Sequence, residues 1–274
     1  MSAAQIDKGA RFRHRGGRDG ILFLHGFTGS PYEMRFLAEG AATAGYTVDV
    51  PVLPGHGTTP GDLATTSYEQ WIDCARSAVH ELQNDCDKVM VVGQSMGGLL
   101  AIDLAAARLC DSVALFAVPL RLPGVSGVVA RLLPAIPTSL LRRLPPRSKA
   151  QGSDVLDAAV KKENPGYRVL PLAGVAELAT LMAKTPPLLS AVRCPALVVH
   201  GKNDHTAPAS CAATLLAELG SADKSLLMLE RSFHLISADV EKFLVAKRLT
   251  AFATRTLTGQ SLGGESRGAA RRGS

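Results

Sequence analysis

The stretch from Lys88 to Leu100, KVMVVGQSMGGLL, constrains this chain more than any other. It sets Ser95 in the pattern Gly-x-Ser-x-Gly, between a β-branched apolar run and a helix-forming run. A strand that turns abruptly into a helix forces its corner residue into a strained backbone, and glycines on either side let the two elements approach. Gly93 and Gly97 hold those places, so the pattern predicts a nucleophile elbow with Ser95 at its tip. The hydroxyl then stands over a helix N-terminus, which favours negative charge. Three fixed positions can coincide by chance, but the flanking VMVV strand and GLLAIDLAAARL helix are the context that the motif requires.

Apolar β-rich runs recur at Ile21–Leu24, Tyr46–Val50, Val89–Val92, Val113–Val118, Ala196–His200 and Ser225–Leu229. Helical patterns separate most of them, which predicts an α/β fold: a mostly parallel central sheet flanked by helices. Ser30-Pro31-Tyr32-Glu33 reads as a capping box with proline at the first helical position, and Ser67-Tyr68-Glu69-Gln70 as a second. Gly45 and Gly220 stand where helices should stop. The one long departure from the alternation, from about Leu120 to Pro171, is rich in Pro, Arg and Leu and reads as a small cap insertion over the site. Its segments VSGVVARLLPAI and TSLLRRLP predict short amphipathic helices lying over an apolar pocket. The expectation is a single domain over residues 1–258 followed by a disordered Gly/Ser/Arg-rich tail over 259–274.

Several function classes are set aside by composition. No run approaches the roughly 20 apolar residues of a membrane span, and the N-terminal residues lack the apolar segment of a signal peptide, so a soluble, cytoplasmic protein is expected. Cys74, Cys86, Cys110, Cys194 and Cys211 are scattered without C-x-x-C spacing, so buried free thiols are expected rather than disulfides or a metal site, and no cofactor is implied. The net charge of +6 is uneven: residues 121–150 carry six basic and no acidic groups, and residues 1–20 five basic and two acidic. No recognition motif accompanies these groups, which argues against nucleic acid. Weak peripheral contact with anionic lipid through the basic cap is the only membrane role that the pattern suggests.

A serine hydroxyl needs a base, and the base needs an acid to fix its tautomer, in the chain order Ser, Asp, His for this elbow. The strand PALVVHG leads into Asp204 and the strand SLLMLE into His234, so both would lie in loops at the carboxyl ends of strands, where open α/β sheets bind ligands. His200 sits within a strand and suits a core or supporting position, while His205 is adjacent to the proposed acid. Glu230 belongs to a strand edge and Asp239 to the first turn of the following helix, which makes both weaker candidates for the acid. Charge developing on a carbonyl oxygen needs backbone donors; the Met96 amide follows the nucleophile, and the loop LHGFTGS offers the Phe27 amide. His25 reads as a buttress of that loop, and no lysine follows the glycines as a phosphate-binding loop would demand.

With these motifs assembled, the chain resembles the α/β-hydrolase superfamily, and within it the small bacterial carboxylesterases and monoacylglycerol lipases. The resemblance rests on LHGFTGSPYEMRFLAE, VPVLPGHGTTPGDLATTSYEQW, VVGQSMGG, VVHGKNDHTAP and RSFHLISAD, in family order over residues 20–255. It implies Ser95 as nucleophile, Asp204 and His234 as its partners, the Phe27 and Met96 amides as oxyanion hole, and a small cap. The cap departs from the lipase pattern: it is basic, and Tyr167 is its only aromatic residue. The expected function is cofactor-independent hydrolysis of small-molecule carboxylic esters of short to medium acyl chains. Thioester hydrolysis, acyl transfer or C–C cleavage by the same triad remains the alternative, and a non-catalytic ligand-binding role a third.

Overall fold

In the computed structural model, which describes residues 8–149 and 152–259, each of the six apolar runs forms a strand. Strands β1 (Phe12–His14), β2 (Asp19–Leu24), β3 (Thr47–Val50), β4 (Lys88–Gln94) and β5 (Ser112–Phe116) precede a short hairpin of β6 (Arg147–Ser148) and β7 (Val169–Leu170), and β8 (Ala196–Gly201) and β9 (Lys224–Leu229) follow. The main sheet has the order β1-β3-β2-β4-β5-β8-β9 and is parallel except for β1, which runs antiparallel to β3 with Phe12 opposite Val50.

Helices α1 (Tyr32–Thr43), α2 (Pro60–Leu63), α3 (Tyr68–Gln83) and α4 (Met96–Ala106) join the first five strands. Helices α5 (Gly124–Leu132), α6 (Thr138–Leu141), α7 (Ala158–Glu163) and α8 (Leu172–Lys184) fill the long connection from β5 to β8, and α9 (Ser210–Glu218) and α10 (Lys242–Ala253) complete the fold. Because helices cover both faces, the central strands are apolar at successive positions rather than alternate ones. Leu22, Leu24, Val91 and Leu115 face α3 and α4, while Ile21, Phe23, Val92 and Phe116 face α1 and α10. Each such side chain, fully withdrawn from water, contributes about 1.5–3 kcal/mol, so the sheet is a stiff platform for the loops at its carboxyl edge.

Two local expectations need correcting. The Ser67–Gln70 capping box is present, but the one at Ser30 is not: Ser30 Oγ is buried without a hydrogen-bond partner, and α1 starts at Tyr32 with no side-chain cap. The Glu33 carboxylate that should have closed the box accepts instead from the Gly26 amide (3.4 Å) and Asn164 Nδ2 (3.1 Å). Strand β1 was not expected, since FRH carries no apolar run; arginines pairing with carboxylates behind it hold it to the edge.

The long connection packs in two parts. Leu133, Leu141, Ala173 and Ala176 cluster where α5, α6 and α8 meet, and Val155 and Val160 pack with Leu235 and Ala238 from the loop after β9. The apolar stripes read from sequence do not all turn inward: Val128 and Leu132 are about three-fifths exposed. No helix among the described residues is long and apolar enough to cross a membrane. The tail expected to be disordered lies outside the described residues beyond Gly259.

Candidate active site

Ser95 sits between β4 and α4 with φ 56° and ψ −118°, a conformation that a residue with a side chain adopts at a cost of about 1–3 kcal/mol. The glycines around it explain why the corner closes. A Cβ on Gly93 would meet the Gly97 carbonyl, and one on Gly97 would meet the Leu24 carbonyl of the neighbouring strand. Both collisions are with backbone, so neither can be relieved by a side chain moving aside.

Loops from strands two and three places along the sheet bring the other two candidates to this corner. His234 Nε2 lies 2.8 Å from Ser95 Oγ, and His234 Nδ1 donates to Asp204 Oδ2 at 2.8 Å. The remaining Asp204 oxygen accepts from the Thr206 and Ala207 amides at 2.8 and 2.7 Å, which fixes the carboxylate plane. Burial opposes ionisation of Asp204, but His234, His200 and the Ala207 amide outweigh it and hold the carboxyl well below the usual carboxylate range. Burial likewise opposes charge on His234, but Asp204 overrides it and raises the imidazole above its ordinary value.

The rival residues have other work. His200 is fully buried; its Nε2 donates to the Ala207 carbonyl (3.0 Å) and lies 3.3 Å from Asp204 Oδ2, a supporting position behind the acid. His205 is exposed and donates to Asp154 at 2.8 Å. Glu230 is exposed and pairs with Lys202. Asp239 is buried ahead of α10, not within its first turn, and accepts from the amides of Leu156, Asp157, Phe233 and Val240. It clamps the long connection to the His234 loop.

The loop after β2 is held from below by two histidines. A Gly29-to-Gly26 hydrogen bond (3.0 Å) closes a turn in which Thr28 has φ 63°, and the Phe27 N–H enters no hydrogen bond among the described residues. His25 Nδ1 donates to the Gly26 carbonyl (3.0 Å) and its Nε2 accepts from the Leu53 amide (3.2 Å). His56 Nε2 accepts from the Thr28 amide at 3.2 Å. Burial pushes His25 down to about 3 and His56 down to about 4, so both stay neutral and keep the acceptor nitrogen these bonds need. Met96 opens α4, where the first amides of a helix have no internal acceptor. Gly26 approaches Ser95 so closely that a Cβ there would lie 3.3 Å from Ser95 Cβ, so the loop that carries Phe27 and the elbow that carries Met96 are close neighbours.

His56, Glu33 and Tyr167 were missed by sequence reasoning as parts of this frame. Tyr167 donates its hydroxyl to the Gly55 carbonyl, accepts from the Thr58 amide (both 2.9 Å) and gives its amide to the Thr28 carbonyl (2.8 Å). A signal existed for His56, a polar residue inside the glycine-rich PGHG turn; none existed for Glu33, whose partner Asn164 is 131 positions away.

A cavity of about 710 Å³ opens above Ser95. Leu122, Val129, Leu133, Val175 and Leu178 line one part of it, and Arg147, Lys149, Lys161 and Asp154 another. The chain is similar in sequence and fold to known proteins. Residues 21–245 match the model of the Alpha/beta hydrolase family. A thermostable monoacylglycerol lipase of Bacillus sp. (strain H-257) is 33% identical over 88% of this chain and 92% of its own length. A carboxylesterase of Bacillus subtilis (strain 168) is 25% identical over 88% of this chain and 94% of its own. A solved structure described under the metagenome-derived lipolytic enzymes LipS and LipT superposes with a TM-score of 0.83 at 34% identity, covering 90% of this chain and 98% of that one. On this match of sequence and fold together, the chain belongs to the α/β hydrolase family.

Proposed function

We propose that Ser95, His234 and Asp204 hydrolyse carboxylic esters of short to medium acyl chains through an acyl-enzyme. The observation that carries this is the continuous line of short hydrogen bonds from Ser95 Oγ through His234 to Asp204, opening on the cavity. His234 Nε2 takes the hydroxyl proton as Ser95 Oγ attacks the carbonyl carbon, and Asp204 stabilises the imidazolium that forms. The oxyanion is received by the Phe27 and Met96 amides, whose loops are already in place, so little reorganisation is needed at the moment of reaction. Collapse expels the alcohol, which receives the proton from His234. Water then repeats the sequence and releases the acid.

The relatives named monoacylglycerol lipase and carboxylesterase support carboxylic esters over thioesters or acyl acceptors as the substrates. The protein is a carboxylic ester hydrolase. Residues 1–258 act as one domain whose cap shapes the pocket, working in the cytoplasm on small-molecule esters. Exposed Val128, Leu132 and Leu140 beside Arg131 and Arg142 on the outer cap support weak contact with anionic lipid. Hydrolysis of p-nitrophenyl esters from acetate to palmitate, with Ser95→Ala protein alongside, tests the function. Serine-dependent turnover with a chain-length optimum is the expected result, and equal rates in the two proteins would refute it.

A further inference from the structure

Among the described residues, part of the cavity wall carries more positive than negative charge. The β6–β7 hairpin sets Arg147 opposite Leu170, and Lys149 donates its amide to the Arg168 carbonyl at 2.9 Å. The chain then turns at Gly152, whose amide returns to the Lys149 carbonyl at 2.8 Å. A Cβ at Gly152 would lie 3.5 Å from an Arg168 guanidinium nitrogen and 3.8 Å from Lys161 Cε, so two further basic side chains approach the turn that begins at Lys149. Arg147, Lys161 and Arg168 take part in no ion pair and no side-chain hydrogen bond among the described residues. Lys149 is half-buried, with Nζ 3.1 Å from Thr28 Oγ1, one residue beyond the Phe27 amide.

Two carboxylates share this wall, and neither balances it. Glu33 lies beneath the loop, committed to Gly26 and Asn164, and Asp154 is committed to His205 and Thr206. Even with both ionised, three cations face two anions. Burial lowers the Lys149 ammonium, while Glu33 pulls it back up, as expected of a cation drawn into a wall and short of counter-charge. Another part of the lining, from Leu122 to Leu178, is apolar and comes from other segments of the chain. A ligand with one apolar and one anionic part matches both parts of the lining, and hydrogen bonds between ionised partners, from arginine or lysine to an oxyanion, are the strong ones available to hold the second.

We propose that the preferred ester carries an oxyanion, a carboxylate or a phosphate, remote from the reacting carbonyl and held by Arg147, Lys149 and Lys161. This rests on the hydrolase reading above and adds the substrate class: amphiphilic anionic esters rather than neutral ones. The cations are specificity-determining and take no part in bond making.

The test compares three matched series of p-nitrophenyl esters: half-esters of dicarboxylic acids from succinate to sebacate, acids of the same lengths ending in phosphate, and the neutral ω-methyl esters of the dicarboxylic series. Parent protein should show kcat/KM about tenfold or more higher for one anionic series than for the neutral one, and the better anionic series identifies the oxyanion. Arg147→Gln combined with Lys161→Gln, both at exposed positions, should collapse that ratio mainly through KM. Arg13→Gln, which removes a charge far from the cavity, should leave it unchanged. A neutral series hydrolysed as well as both anionic ones would overturn the proposal while leaving the hydrolase intact. Binding of adipate and of the matching ω-phosphorylated acid, followed by calorimetry on parent and double variant, separates the two ideas. Binding that the double variant loses supports the anion site even in a protein that hydrolyses none of the esters, whereas no binding of either acid together with no anionic preference refutes it.

Discussion

The chain has two basic regions that look alike in sequence and behave oppositely in the fold. Near the N-terminus, Arg11 grips Asp49 through two hydrogen bonds of 2.9 and 2.6 Å, and Arg13, Arg15 and Arg18 pair with Glu81, Asp85 and Asp87. These charges are consumed in fastening β1 to the edge of the sheet. In the cap, Arg147 and Lys161 line the cavity and Arg168 stands beside Gly152, and none of the three has such a partner among the described residues. Counting charges cannot tell the two apart. What separates them is whether the topology delivers a carboxylate to the same place: α3 and the turn after it bring Glu81 and Asp85 to the arginines of β1, and among the described residues no element brings an unengaged acid to the hairpin.

Experiments on the two regions should therefore diverge, and the largest effect sets the scale for the rest. Ser95→Ala should lower kcat/KM for every ester about 10³-fold or more, measured by initial rates at matched protein stability; unequal losses for neutral and anionic esters would break the assumption that both use one site. Next, Asp49→Asn should cost about 1–3 kcal/mol of stability, because the side chain is fully buried against Arg11. For a chain of this size that is a fall of about 2–4 °C in Tm per kcal/mol, and calorimetry should show it with no change in the anionic-to-neutral ratio.

The third concerns pH. His234 is raised above 6.5, so it is charged in both folded and unfolded protein below that value, and its bond to Asp204 contributes fully there. As pH climbs through the folded value that stabilisation is lost while the neutral base appears, so kcat/KM should rise with a midpoint above 6.5. Asp204→Asn should move the midpoint down, and a profile centred below 6.5 would contradict the raised imidazole. The smallest effect belongs to Arg15→Gln: its pair with Asp85 is exposed, and urea unfolding should register no more than about 0.5 kcal/mol.

What the sequence made legible divides along the same physical line. The parallel strands, the elbow, Asp204 and His234 each depend on a short local pattern, and each stands where expected. The frame beneath them depends on contacts that no local pattern encodes. Glu33 has the spacing of a capping residue, yet the deletion of side chains at Gly26 and Gly29 opens a space that its carboxylate fills better than the cap would. His56 and Tyr167 meet Thr28 from 28 and 139 positions away, by simple difference of residue number. Strand β1 was invisible because its affinity for the sheet lies in arginines, which read as solvated surface until their partners are seen.

The ties of Tyr167 to the Thr28 carbonyl and of Leu156 and Asp157 to Asp239 make the cap a splint across the site rather than a hinged cover. One tie ends in the loop that would receive the oxyanion, the other in the loop that carries His234. Swinging the cap away would loosen both loops together, so the proposed reaction fits a substrate that enters past side chains at the rim while the cap stays fastened. On the proposed function, variation in the cap is expected to alter reactivity as well as choice of ester, because the segment that lines the cavity is also tied to the Thr28 and His234 loops.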